Sequence, residues 1–198
     1  LRRFSGRGPR GFQWLRLGAL AGMPAPGLTN DLAYDLDLIH NTGISWLVTL
    51  THEPLPAEEV ARHSLRNIQF PIVDMDVPTE EAAARLCAQV AELVAGGQAV
   101  GFHCKAGLGR TGTMLACQLI WEGSTAAAAL RDVRAVEPGW IQSEKQVAFL
   151  SRFEEWIKQT WPMEGGQRKK RKSVSDVHPS ANQGAQLTEG KEKSNDLT

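Results

Sequence analysis

The amino-acid sequence predicts an α/β fold, and three observations carry that expectation. Short apolar runs at Ser45–Leu50, Leu65–Pro71 and Ala99–Phe102 alternate with longer stretches of helical periodicity, the order that joins parallel strands through helices. Apolar residues make up 42% of 198 residues, enough for the core of one domain. A glycine-bearing loop leads from the third run into an apolar helix at Met114–Trp121. Open α/β sheets bind ligands at such strand-to-helix corners.

Each element follows from local chemistry. Residues 1–10 are rich in Arg, Gly and Pro and read as a flexible segment. Phe12, Trp14 and Leu15–Leu17 read as a strand, and Gly18–Pro24 as a loop of small residues. Thr29 or Asn30 can cap a helix running to Asn41, with Gly43 just beyond it and Leu32, Leu36, Ile39 and His40 on one face. Thr51–Pro54 leaves the Ser45–Leu50 strand at its carboxyl end, which makes Glu53 either a rim residue or a solvated loop acid. Pro56–His63 reads as a short helix. Leu65–Pro71 reads as a strand with Ile68 and Phe70 inward. Thr79 caps the next helix, with Glu80 and Glu81 in its first turn, Leu86, Val90, Leu93 and Val94 as its apolar face and Gly96–Gly97 at its end. Thr125–Val136 and Ser143–Trp161 are two further helices, separated by a Glu137–Pro138–Gly139 turn. Ser143 and Gln146 form a capping-box pair, and Phe149, Leu150, Phe153, Trp156 and Ile157 make a core stripe. Cys87 and Cys117 read as core residues.

Composition limits the function classes. Lys+Arg and Asp+Glu both number 22, so the chain has no polyanion-binding balance, and no nucleic-acid partner is expected. No apolar run reaches membrane-spanning length, and the basic start lacks the apolar centre of a secretory signal. Three cysteines without metal spacing point to a reducing compartment and a cytoplasmic location. No His/Asp/Glu cluster suggests a metal, and no cofactor is expected. Large apolar residues almost vanish after Pro162, so 163–198 reads as a disordered polar tail beyond a domain at 11–162. Its basic patch at Lys169–Lys172 is a nuclear-localisation signal, a contact for acidic surfaces, or a solubilising run.

The loop carries the chemistry. Between Phe102 and the helix stand His103, Cys104, Lys105, Ala106, Gly107, Leu108, Gly109, Arg110, Thr111 and Gly112. Glycines permit the positive φ angles with which successive backbone N–H groups form an anion-binding nest, and the helix N-terminus adds partial positive charge. A cysteine at the base of that nest is favoured as thiolate. Arg110 can close the cup with forked contacts to phosphate oxygens, Thr111 can donate to the sulfur, and Lys105 can steer anions. A leaving oxygen also needs a proton. The loop after Leu65–Pro71 offers Asp74 and Asp76, which two-residue spacing alone does not separate. Asp76 stands nearer the Thr79 helix start, and Asp74 nearer the expected crevice.

The string HCKAGLGRTG resembles the His-Cys-x5-Arg-Ser/Thr signature of cysteine-dependent protein phosphatases. Residues 11–160 resemble the small atypical dual-specificity phosphatases and the mitotic-exit phosphatases. The resemblance implies a mostly parallel central sheet flanked by helices on both faces. It implies Cys104 as nucleophile, Arg110 and the loop Lys105–Gly109 as phosphate ligands, and His103 and Thr111 as supporting residues. Asp74, four residues before Pro78, matches the family's general acid, with Asp76 the fallback. Gln146 best matches a residue that positions water, and Gln142 is second. The implied substrate is a phosphorylated protein, attacked by a monomer. Leu108 stands where phosphoinositide phosphatases tend to carry a second lysine. A lipid or RNA 5′-phosphate phosphatase, and a phosphoprotein-binding module without turnover, are the alternatives.

Overall fold

The structure, a computed structural model, describes residues 7–169. Strands and helices alternate as β1 (Gln13–Arg16), β2 (Leu20–Met23), α1 (Leu32–Asn41), β3 (Trp46–Thr49), α2 (Ala57–Arg62), β4 (Arg66–Gln69), α3 (Glu80–Ala95), β5 (Val100–His103), α4 (Gly109–Trp121), α5 (Ala126–Val136) and α6 (Glu144–Thr160). A two-stranded hairpin, β6 (Met163–Glu164) and β7 (Gln167–Arg168), follows. The five-stranded sheet has the order β1-β2-β5-β3-β4, parallel except for β1.

Alternation along the central strands divides the core in two. Leu20, Val48, Val100 and Phe102 face the layer built by α3, α4, α5 and α6. Ala21, Met23 and Leu47 face the opposite layer with Leu36 and Ile39 of α1 and Val60 of α2. A sheet covered on both faces shields its strands from water, so they read as apolar runs rather than alternating ones. β5 lies at the centre, paired with β2 and β3, which puts the loop after His103 in the crevice at the strands' carboxyl ends.

Four expectations change. Gly18–Pro24 is not all loop: Leu20–Met23 is a fully buried strand. Its small residues serve close packing, because a Cβ at Gly22 would lie 2.6 Å from Trp140 and 2.9 Å from both Leu115 and Thr111. Asp31, not Thr29 or Asn30, caps α1, accepting from the Ala33 and Tyr34 amides. His40 is exposed on that helix, while Asp35 is buried and accepts from Gly27 N and Asn30 Nδ2, shaping the preceding loop. The N-terminal segment, expected as flexible through residue 10, has Pro9 buried, with its carbonyl accepting from Phe12 N. Residues 1–6 lie outside the described residues.

The boundary expected at Pro162 also moves. Arg168 donates to the carbonyls of Ile120, Trp121 and Trp161 at 2.7, 2.7 and 3.0 Å and sits over the Trp121 ring. The guanidinium thereby adds donors to carbonyls at the ends of α4 and α6, where the helical ladder runs out. Arg168→Ala is expected to destabilise by about 1–2 kcal/mol, because water recovers part of what charged hydrogen bonds supply. That corresponds to a melting temperature about 3–6 °C lower in thermal denaturation; an unchanged value would mean the hairpin adds nothing. The rest of the expected tail, from residue 170, lies outside the described residues, including all of the basic patch but Lys169.

Candidate active site

β5 ends at His103 and α4 begins at Gly109, so five residues make the turn between them. Their carbonyls are tied to the body of the protein. Lys105 O accepts from Ala25 N at 3.1 Å, Gly107 O from the buried Trp140 Nε1 at 3.0 Å, and Leu108 O from Gly112 N at 2.9 Å. A trans peptide points its C=O and the following N–H in opposite directions. Anchoring these carbonyls therefore turns the amides of Ala106, Leu108 and Gly109 the other way, toward the cleft. Gly107 adopts φ +73, and a Cβ there would lie 2.4 Å from Met23 C and Pro24 N, so glycine alone fits. α4 begins at Leu108 without a side-chain cap, leaving its first amides available to an anion.

Cys104 is buried at the base of this turn, and Thr111 Oγ1 donates to its Sγ at 3.2 Å. Arg110 is buried as well. Its Nη1 donates to Ile72 O at 3.0 Å and its Nη2 meets Asp74 Oδ1 at 2.8 Å. Asp74 itself is exposed. Cys104, Lys105, Ala106, Gly109, Arg110 and Asp74 share one cleft of about 260 Å³ with Gln142 and Gln146, walled by Leu28 and Met75. The expected nucleophile, phosphate ligand and acid are thus brought together. Leu108 is not a wall of this cleft, and Gly107 acts from behind it through its carbonyl.

The two aspartates separate. Asp76 Oδ1 lies 2.5 Å from Lys145 Nζ and accepts from Val77 N at 2.7 Å. The Lys145 hydrogen bond first, and the Val77 amide second, hold its carboxyl below the ordinary carboxylate range. It does not line the cleft. His103 sits behind Cys104, with Nε2 2.8 Å from Thr49 Oγ1, which lies 2.8 Å from Asn67 Oδ1. Burial pushes the imidazole down to about 4, opposed in part by a hydrogen bond to the Cys104 backbone. An imidazole held that low brings no positive charge to the sulfur at pH 7. Gln146 Oε1 accepts from the Gln142 and Ser143 amides in the capping box, while its buried Nε2 has no protein partner and belongs to a side chain that lines the cleft. Gln146 thus serves the cap with its oxygen while the same side chain lines the cleft.

A second cavity of about 500 Å³ opens beside the cleft, between the loops after β2 and β3, and includes Glu53. Glu53 is thus an exposed loop acid that also lines this neighbouring cavity. Cys87 and Cys117 are buried away from the cleft, and burial raises both thiols. Among the described residues no group of three or more His, Cys, Asp and Glu is placed to hold a metal. Sequence reasoning missed Trp140 and the Ile72 carbonyl. Gly22 and Gly112 were the available signal for Trp140, since a Cβ at either would strike its side chain.

Fold and site together define the class of the cysteine-dependent protein phosphatases. Residues 21–124, just over half of the chain, match the family described as "Tc-R-P: Polymorphic toxin system, DSP-PTPase phosphatase", and the chain belongs to that family. It is 31% identical over 111 residues to tyrosine-protein phosphatase cdc-14 of Caenorhabditis elegans, covering 56% of this chain and 15% of that protein. It is 26% identical over 121 residues to tyrosine-protein phosphatase CDC14 of Candida albicans, covering 61% of this chain and 22% of that one. The chain therefore spans about a fifth or less of these relatives' length. Among solved structures, Tk-PTP in its active form superposes with a TM-score of 0.66 at 25% identity, covering 74% of this chain and 98% of that one. PTPMT1 shares the fold, with a TM-score of 0.65 at 21% identity over 75% of this chain and 96% of its own. These matches do not single out one member such as dual-specificity phosphatase 23. Among the described residues no helix is long and apolar enough to cross a membrane.

Proposed function

We propose that this chain is a protein phosphatase that hydrolyses phosphotyrosine and phosphoserine/phosphothreonine monoesters through a phosphocysteine intermediate. The observation that carries the proposal is the convergence of Cys104, Arg110 and Asp74 on one cleft. A phosphate bound by the turn amides and Arg110 lies over Cys104 Sγ, so attack is intramolecular in effect. The S–P bond forms as the P–O bond to the substrate breaks, and the Asp74 carboxyl gives its proton to the departing oxygen. Water then attacks phosphorus, Asp74 takes a proton from it, and the S–P bond breaks. In this reading the Gln146 amide, which lines the cleft, orients that water. In the free cleft Asp74 pairs with Arg110 as a carboxylate, so an arriving phosphate must displace it, and the freed carboxylate takes up a proton before it serves as acid beside the ester oxygen.

Charge favours a phosphoprotein over a polyphosphorylated lipid. The Lys and Arg side chains lining the cleft and its neighbouring cavity are Lys105 and Arg110, offset by Asp74 and Glu53. Such a surface suits one phosphate on a neutral scaffold. PTPMT1 has been captured with PI(5)P, and at 18% identity that likeness concerns the fold. Turnover of a panel of phosphopeptides, inositol phosphates and RNA 5′-phosphates tests the choice; preference for either of the latter two would overturn it.

Asp74→Asn is expected to slow phosphoserine peptides about 10²- to 10⁴-fold, the usual contribution of a general acid. The loss on p-nitrophenyl phosphate, whose leaving group needs little protonation, is expected to be much smaller. Equal losses on both substrates would remove Asp74 from the acid role.

A further inference from the structure

The loop from Ile72 to Val77 carries the candidate acid but buries little of itself. Val73, Asp74 and Met75 are exposed, and Met75 holds a left-handed φ of 60. A segment with few buried apolar contacts is held by its polar ties. On the inner side Arg110 reaches Ile72 O and Asp74 Oδ1. On the outer side the first turn of α6 takes over: Ser143 Oγ donates to Met75 O at 3.5 Å, and Lys145 Nζ meets Asp76 Oδ1 at 2.5 Å. An arriving phosphate takes part of the inner tie, because it competes for Arg110. The outer tie then carries more of the loop's position at the moment of reaction.

We propose that Lys145 is a positioning residue for the general-acid step, holding Asp76 so that Asp74, two residues earlier, stays over the cleft. This rests on the reading of Asp74 as the acid. Lys145 is not a wall of the cleft, so its role is separable from substrate binding. Gln146 is its neighbour on the same helical turn. One helix end thus holds both the acid loop and the Gln146 side chain that lines the cleft.

The test measures kcat and KM on a phosphoserine peptide and on p-nitrophenyl phosphate for Lys145→Met, Asp76→Asn, the double variant and Lys145→Arg, with Asp74→Asn as reference. Lys145→Met is expected to lower kcat on the peptide about two- to fivefold, the population change that a partly exposed ion pair can make. KM and the aryl phosphate rate should stay as in the unsubstituted protein. Asp76→Asn should match it, breaking the tie from the other end. The double variant should be no worse than either single, and Lys145→Arg should restore the rate. Equal losses on both substrates, a change confined to KM, additive losses or no loss at all would overturn the proposal. Should Asp74→Asn show no leaving-group dependence, the acid assignment fails and the positioning role with it. Should Asp74→Asn show it and Lys145→Met not, the positioning role alone fails. A loss in Asp76→Asn as large as in Asp74→Asn would make Asp76 the acid and overturn both.

Discussion

Cys104→Ser is expected to abolish hydrolysis of p-nitrophenyl phosphate, by on the order of 10⁵-fold or more, as removal of a covalent nucleophile does. Binding of a phosphopeptide should persist. Cys104 alone among the three cysteines lines the cleft; Cys87 and Cys117 are sealed in the core and cannot substitute for it. A serine hydroxyl fits the same space and still accepts from Thr111, which now donates to the sulfur at 3.2 Å. It does not ionise near neutral pH, and among the described residues no imidazole is hydrogen-bonded to the Cys104 side chain; His103 Nε2 meets Thr49 instead. The anion-binding parts are backbone amides and Arg110, which the substitution leaves in place. Steady-state kinetics and calorimetry with a phosphopeptide check the two halves separately. Turnover within about a hundredfold of the unsubstituted protein would exclude Cys104 as nucleophile.

Arg110→Lys is expected to lower kcat/KM by about 10²- to 10⁴-fold. Arginine here spans two partners, Ile72 O and Asp74 Oδ1, and a bound phosphate would take the second position. A lysine offers one compact charge and cannot fork between a carbonyl and an oxyanion. Losing two charge-assisted hydrogen bonds, each about 1.5–3 kcal/mol, gives the stated range at about 1.4 kcal/mol per decade. The buried Ile72 carbonyl would also lose its partner. Kinetics within about threefold of normal, with folding checked by circular dichroism, would place Arg110 outside the reaction.

Much of the site was legible because its parts are close in sequence. Cys104 through Thr111 occupy one turn, and the residue types of that turn state its chemistry. The long helices were legible too: α3 and α6 carry caps and apolar stripes that act locally, at Thr79 and at Ser143 with Gln146. Three features failed to show. β2 is a strand because β1 and β5 flank it, and nothing local in its four residues distinguishes a buried strand from a loop of small residues. Trp140 supports Gly107 from 33 positions away, a contact no local pattern encodes. The different placements of Asp74 and Asp76 are set by Arg110 and Lys145, which reach the loop from two different helices. Hydrophobic sparsity misplaced the chain's boundary because Arg168 docks through charge and carbonyls rather than through apolar burial.

If the proposed cycle holds, the pairing of Asp74 with Arg110 bears on departure as well as on arrival. In the proposed cycle the last species in the cleft is inorganic phosphate, held by the same amides and guanidinium that bound the ester. A guanidinium with no other suitor would retain that product and stall between rounds. Here Asp74, once it has shed the proton it took from water, stands ready to reclaim it. The carboxylate behaves as a tethered competitor whose local concentration never falls, so each release is met by an internal replacement. Tight grip on the ester is traded for clearance of the product, and the rate of the next round gains from a contact that looks, in the resting cleft, like an obstruction.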